Sequence, residues 1–231
     1  MAKPVELETQ TFPNQKQARE YFQGILYRYE IGIVIPDPDH SDLAALLVRH
    51  PEASQKIGAG ISYFTVMNAA QGTQCFCLHR ADGTSTDFSM GSCITGKGPT
   101  RFQEVSQAFR AIVSPDIHSQ RDTLFANHGS DGAIECAVSG KLITREQGHM
   151  DHRPPLTFQV IVRTFLVANN LRVNDVQLSE SSDNQFTTTL EAPEIAEKFR
   201  EYHSSVATLD FVAKSINLAQ SSKHRIKTVR L

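Results

Sequence analysis

The sequence has no apolar run long enough to cross a bilayer. Ile31 to Pro36 is typical of its longest, against the roughly 18–20 residues a spanning helix needs. Met1-Ala-Lys-Pro-Val-Glu opens the chain without an apolar stretch of signal-peptide type. Four cysteines in 231 residues are too few for a disulfide framework. These features together predict a reducing, cytoplasmic setting with no membrane partner. Neither sign of charge dominates, with Lys+Arg 23, Asp+Glu 25 and a net charge of −2, so gross basicity does not argue for nucleic acid. With 40% hydrophobic residues, that balance also excludes disorder. The chain has no P-loop, no dinucleotide fingerprint, no Gly-x-Ser-x-Gly and no internal repeat.

Local charge says more. After Asp210 no acid occurs, while Lys214, Lys223, Arg225, Lys227 and Arg230 follow. A basic tail of this kind either lies along phosphates or is a solvated tail with ordinary charge scatter.

The first part of the chain reads as helix, turn, helix, strands, helix. Asn14 or Thr11 caps a stripe through Ala18, Tyr21, Phe22, Ile25 and Leu26 at i, i+3, i+4 spacing. Pro36-Asp-Pro-Asp-His-Ser is a turn, and Ser41 or Asp42 caps a helix over Leu43 to Val48. Ile61 to Met67 and Cys75 to His79 read as strands, and a third is expected from Asp87 to Ile94. A helix from Arg101 to Val113 closes this unit, with Ser114-Pro-Asp-Ile-His as the linker. The expected domains are therefore 1–113 and 114–231, both α+β.

The second unit begins with a short helix near Arg121 to Phe125. Ile134 to Val138 and Leu142 to Arg145 form a β-hairpin turned by Ser139-Gly140, its second strand running on into Gly148 to His152. Pro154-Pro155 stops that strand, and Thr157 caps a helix through Leu166. Val173 to Leu178 and Phe186 to Leu190 alternate like strands. Two helices are expected to finish the chain, Ala192 to Tyr202 and Thr208 to about Ala219.

In the first unit the ordered run Phe22…Ile25-Leu26…Tyr29…Gly32…Leu46-Leu47…His50-Pro-Glu…Lys56-Ile-Gly…Gly60-Ile, then Cys75-Phe76…Arg80-Ala-Asp-Gly…Asp87-Phe-Ser…Cys93-Ile94, resembles the DCL ("defective chloroplasts and leaves") domain over about residues 12–112. That family is linked with plastid ribosomal RNA processing and is found fused to plant RNA polymerase subunits. The resemblance implies a nucleic-acid-associated module and no particular catalyst. Read physically, Gly58 and Gly60 form either a structural turn or a phosphate cradle. Cys75, Cys77 and His79 share one strand face, a pattern that builds a core as readily as a metal site.

In the second unit, Cys136-Ala-Val-Ser-Gly-Lys-Leu-Ile, then His149-Met-Asp-His-Arg, and later Ala207-Thr-Leu-Asp-Phe-Val-Ala-Lys-Ser-Ile-Asn217 through Lys223, resembles an HNH (ββα-metal) endonuclease. The resemblance implies His152 as general base, with Asp151 and Asn217 holding a divalent cation, Mg²⁺ or Mn²⁺. Leu156 to Tyr202 then reads as an insertion between hairpin and catalytic helix. His149 and His203 are supporting candidates, the first as a third ligand or a water-orienting group. Arg153, Lys214, Lys223, Arg225 and Lys227 are candidate nucleic-acid contacts.

The residue types suit the chemistry. Imidazole titrates near neutrality and takes a proton from water. Carboxylate and amide oxygens are hard ligands that leave a cation positions for water and phosphate. Adjacent strand residues face opposite ways, so Asp151 and His152 are expected to share a site because the strand breaks there, at Pro154-Pro155. The expectation is a metal-dependent endonuclease of restriction or DNA-processing type, with DNA favoured over RNA. The alternatives are a non-catalytic nucleic-acid binding protein, for instance in RNA processing, and a structural adaptor. Cutting both strands favours a homodimer, with exposed residues of the helix Phe158 to Leu166 as its interface.

Overall fold

Asn14 starts the first helix as its side chain predicts, its Oδ1 accepting the Gln17 N–H at 2.9 Å. In the computed structural model the described residues are 3–69, 73–129, 131–180, 183 and 188–216. They form an α+β protein of helices and small antiparallel sheets. Contacts divide the chain into two units, residues 1–100 with 180–187, and residues 101–179 with 188–231.

In the first unit β1 (Val5–Glu6) and β2 (Thr11–Phe12) make a short ribbon before α1 (Gln15–Leu26), α2 (Asp39–Leu47) and α3 (Ala53–Ile57). The sheet is β3 (Ile61–Asn68), β4 (Gln74–Arg80) and β5 (Ser85–Phe88), all antiparallel in that order. The core is the apolar stripe of α1 with Leu43, Leu46 and Leu47 of α2, packed on Phe64, Val66, Phe76, Leu78 and Phe88. The expected third strand ends early, because the Ser89 hydroxyl accepts the Ser92 N–H and caps α4 (Met90–Thr95). Cys93 and Ile94 are thus buried helix residues and not strand residues.

Gly58 and Gly60 have positive φ, +51° and +107°, and the Arg80 side chain lies 3.1 Å from where a Cβ on Gly58 would sit. That neighbour favours the structural-turn reading of the pair. Cys77 is buried, while His79 meets the Thr65 hydroxyl at 3.0 Å and stacks on Tyr63. The Cys75–Cys77–His79 face is therefore engaged in packing and hydrogen bonds.

The second unit begins with α5 (Arg101–His128), which carries Pro115 inside it. The expected linker at Ser114–His118 is therefore helix, because Val105, Phe109, Val113 and Ile117 form one continuous buried stripe across it. β6 (Ala133–Glu135) and β7 (Leu142–Thr144) form the expected hairpin. Its second strand does not run on, since the Gln147 N–H turns back to the Thr144 carbonyl at 3.1 Å. A new strand, β8 (Gly148–His152), pairs instead with β9 (Leu209–Ala213), where a helix was expected. Alternating Leu209, Phe211 and Ala213 fit a strand, and only after Ala213 does the chain turn helical, over residues 214–216.

α6 (Phe158–Ala168) and α7 (Pro193–Val206) lie in the sequence between β8 and β9. Residues 173–175 form a 3-10 turn, Leu178 bridges Leu190, and the expected strand start at Phe186 lies outside the described residues. Phe158, Ile161, Val162, Phe165 and Leu166 of α6 are buried against Phe109 and Phe199. α6 is therefore a core helix on one side, with Gln159, Arg163 and Val167 exposed on the other.

Candidate active site

β8 carries His149, Asp151 and His152 of the HNH-like residues. Its register with β9 is unbroken: Gly148 faces Ala213, His149 faces Val212, Met150 faces Phe211, Asp151 faces Asp210 and His152 faces Leu209. The pairing continues past the strand, with the Arg153 N–H donating to the Thr208 carbonyl at 3.1 Å. The expected break between Asp151 and His152 is therefore absent. By strand alternation Asp151 and His149 share one face, and His152 shares the other with Met150 and Gly148.

His152 is only 5% exposed and His203 3%. Their Nε2 atoms lie 2.8 Å apart, so one ring donates to the other. The His152 ring also packs against Phe158. Burial, with the Arg110 charge and then His203, pushes His152 down to about 3. His203 is lowered by burial and by Arg110, against the opposing pull of Asp116. His149, half-buried, is lowered chiefly by burial, with Asp151 opposing and Lys214 and Arg110 assisting.

Arg110 is thus felt by all three imidazoles. It lies on α5 one residue after the buried Phe109 and three before Val113, and its guanidinium sits 3.9 Å over the Phe158 ring. Burial lowers its own affinity for its proton, with the Asp151 charge opposing. No hydrogen bond or ion pair to Arg110 occurs among the described residues. Sequence reasoning missed this residue. The signal was a charge set beside the buried face of an amphipathic helix, where an apolar residue is the ordinary occupant.

The remaining candidates divide. Arg153 has a partner in Asp210, Nε to Oδ2 at 2.9 Å, and is not a free cation. Lys214 begins the helical residues after β9, its backbone N–H bonded to the Gln147 carbonyl at 2.9 Å. Asn217, Lys223, Arg225 and Lys227 lie outside the described residues, and so does the expected Asp151–Asn217 pairing.

Cys136 fastens the β6–β7 hairpin to β9, its sulfur accepting the Ala213 N–H at 3.4 Å while the Ala137 N–H donates to the Phe211 carbonyl at 3.0 Å. Burial raises this thiol, but hydrogen bonds from the Ser139 hydroxyl and from the Ala213, Ser139 and Val138 backbone outweigh that and bring it to about 7. All four cysteines are free. Among the described residues, no helix is long and apolar enough to cross a membrane. Nor do they hold any group of three or more His, Cys, Asp or Glu arranged for a metal ion.

Comparison with known proteins places a domain in the first unit. Residues 23–94 match a family described as "Protein of unknown function (DUF3223)", and this DUF3223 (DCL-like) domain has DCL proteins among its relatives. The chain is 39% identical over 72 residues to "Protein DCL, chloroplastic" of Solanum lycopersicum, covering 30% of this chain and 32% of that protein. It is 32% identical over 87 residues to "DNA-directed RNA polymerase IV subunit 1" of Arabidopsis thaliana, covering 37% of this chain and 6% of that protein. The match thus spans less than half the length of either curated relative. A solution NMR structure of an uncharacterized Rhodospirillum rubrum protein is 36% identical, with a TM-score of 0.38, covering 40% of this chain and 89% of that one. Nothing in these matches supports the HNH resemblance of the second unit, which stands on its own residues.

Proposed function

We propose that this chain is a metal-dependent endonuclease acting on DNA, with the DCL-like domain helping to engage the nucleic acid. The observation that carries the reading is the order of elements around Asp151-His152. β8 pairs with β9, and β9 leads directly into helical residues 214–216, one residue short of Asn217. Strand, strand and helix are then contiguous in space, with residues 153–208 inserted between the two strands. This differs from the expected insertion between hairpin and helix.

The donor types of Asp151 and Asn217 would suit a hard divalent cation that keeps most of its water. Such an ion takes one or two carboxylates, and Asp151 stands opposite Asp210, whose charge Arg153 partly offsets. Asp151 and Asn217 are the proposed ligands, and Mg²⁺ or Mn²⁺ supplies charge stabilisation at the phosphate.

With no strand break, Asp151 and His152 face opposite sides of β8, so the reading requires the phosphate to be reached across the end of the strand, and the imidazole pair sets a further requirement. For His152 to take a proton through Nδ1, its Nε2–H must donate to His203, whose own proton then sits on Nδ1. The Asp116 charge acts on His203, while both of its carboxylate oxygens accept from Arg200. His203 is in this reading the group that orients the base. The basic residues beyond Asp210 would follow the DNA backbone, and the free thiols suit a reducing compartment.

The test is purified protein with plasmid DNA and Mg²⁺ or Mn²⁺, alongside EDTA and His152→Ala controls. Cleavage lost in both controls is the expected result. Tight binding without cleavage would overturn it in favour of a non-catalytic nucleic-acid binding protein. The deep burial of His152 is the observation that favours this second reading.

A further inference from the structure

Arg110 has the features of a group waiting for an anion. A half-buried guanidinium ordinarily meets a carboxylate or several carbonyls, because leaving its donors unpaired is costly. Here the stem rises from α5 between the buried Phe109 and Val113, and the planar group lies on Phe158 at 3.9 Å. Stacking on a ring satisfies the face of a guanidinium but none of its in-plane N–H donors. Asp151 is near enough for its charge to act on Arg110, yet the two form no ion pair. Among the described residues, a cation and a carboxylate thus lie close enough to feel each other's charge without forming an ion pair. A phosphodiester with its divalent cation needs that combination, since the anion takes the guanidinium and the cation takes the carboxylate.

We infer that Arg110 binds the phosphate of a DNA strand at the Asp151–His152 end of β8, through paired N–H donors to its non-bridging oxygens. This rests on the nuclease reading of the same site. The guanidinium fork matches two phosphate oxygens at once, which a lysine ammonium does not. Because Phe158 and the α5 core fix its plane beforehand, little reorganisation is needed when charge builds on the phosphate. Arg110 is in this reading a catalytic residue from outside the HNH-like segments.

The test uses the full chain with Arg110→Met, which keeps the apolar stem, Arg110→Lys, which keeps the charge, and Arg110→Gln as a second neutral variant should Met disturb the fold. Binding of a short labelled duplex is followed by anisotropy in EDTA across a salt series, and cleavage is measured separately with Mn²⁺. The neutral variants should bind about tenfold more weakly and lose about 0.9 from the slope of log affinity against log salt, one phosphate contact fewer. Arg110→Lys should recover the slope, yet cleave about 100-fold more slowly than wild type for want of the fork. Wild-type affinity and slope in both neutral variants would overturn the inference. If wild type never cleaves but the neutral variants still lose affinity and slope, the phosphate contact stands and the nuclease reading falls.

Discussion

In the DCL-like unit the deeply buried charges meet complementary groups. Asp39, 2% exposed, accepts from Arg28 and Tyr29, and Asp42 accepts from Tyr21 and Gln10. Arg80 donates to the Lys56 carbonyl, to Thr84 and to Asp183. The second unit treats its polar groups otherwise. There two buried imidazoles pair with each other through their Nε2 atoms, and the guanidinium beside them rests on a ring. A satisfied network holds one conformation and adds stability. A cluster of like-signed or unpaired donors costs stability, and such clusters gather where a ligand completes them. On the proposed reading, the first unit's polar groups do structural work and those around His152 and Arg110 await a ligand.

The apolar cores are the control for this comparison, since both are dense and should respond alike. Phe22 and Phe199 are fully buried, the latter stacked 4.2 Å from Phe109. Phe22→Ala and Phe199→Ala should each cost about 3–5 kcal/mol in urea unfolding. Phe199 also borders His203, with centroids 6.1 Å apart, so its loss should reduce cleavage under folding conditions where Phe22→Ala does not. Equal effects on cleavage would remove the contrast.

A smaller effect separates the units by pH. His152 is held down to about 3 in the folded chain against an ordinary 6.5. The unfolded chain therefore binds the extra proton first. The stability due to a neutral His152 is present above about pH 6.5 and is lost as pH falls toward 3. From pH 6.5 to 5 the loss is about 2 kcal/mol, at about 1.4 kcal/mol per pH unit. His152→Leu should flatten the fall in urea-derived stability over this range, leaving the lesser contributions of His149 and His203. A variant as acid-sensitive as wild type would show that the imidazole pair is not strained by burial.

What the sequence made legible follows from the range of the forces involved. α1, its Asn14 cap, β3, β4, the Ser139-Gly140 hairpin and α6 are written in local periodicity and turn residues, and the structure has them all. The misreadings came where a distant partner decided. Leu209 to Ala213 reads as the start of a helix until β8, some 60 residues earlier, offers a ladder to it. Ser114-Pro-Asp reads as a linker until the apolar stripe of α5 is seen to cross it, since a single proline is tolerated when tertiary packing holds both sides. Asp151 and His152 were visible as a motif. Arg110 was not, because its lack of an ion-pair partner among the described residues is a property of space and not of spacing.

The same pair of substitutions in the two units gives the last and smallest test. Arg28 and Arg110 are both guanidiniums over packed elements, yet only Arg28 neutralises a buried carboxylate. In Arg28→Met, Asp39 keeps Tyr29 as donor but loses its counter-charge while remaining 2% exposed. Because the Arg28 side chain is itself 56% exposed, solvent screens much of that attraction, and the expected effect is a modest loss of stability. In Arg110→Met no carboxylate is orphaned. The desolvation of the guanidinium is relieved and only the stack on Phe158 is exchanged for a thioether contact, so stability should change by less than about 1 kcal/mol and in the stabilising direction. Chemical denaturation of the two variants beside wild type reads the difference. A larger loss from Arg110→Met than from Arg28→Met would mean that Arg110 is a structural cation like those of the first unit. A gain, together with weaker DNA binding, is the trade of stability for function expected of a residue kept for a ligand.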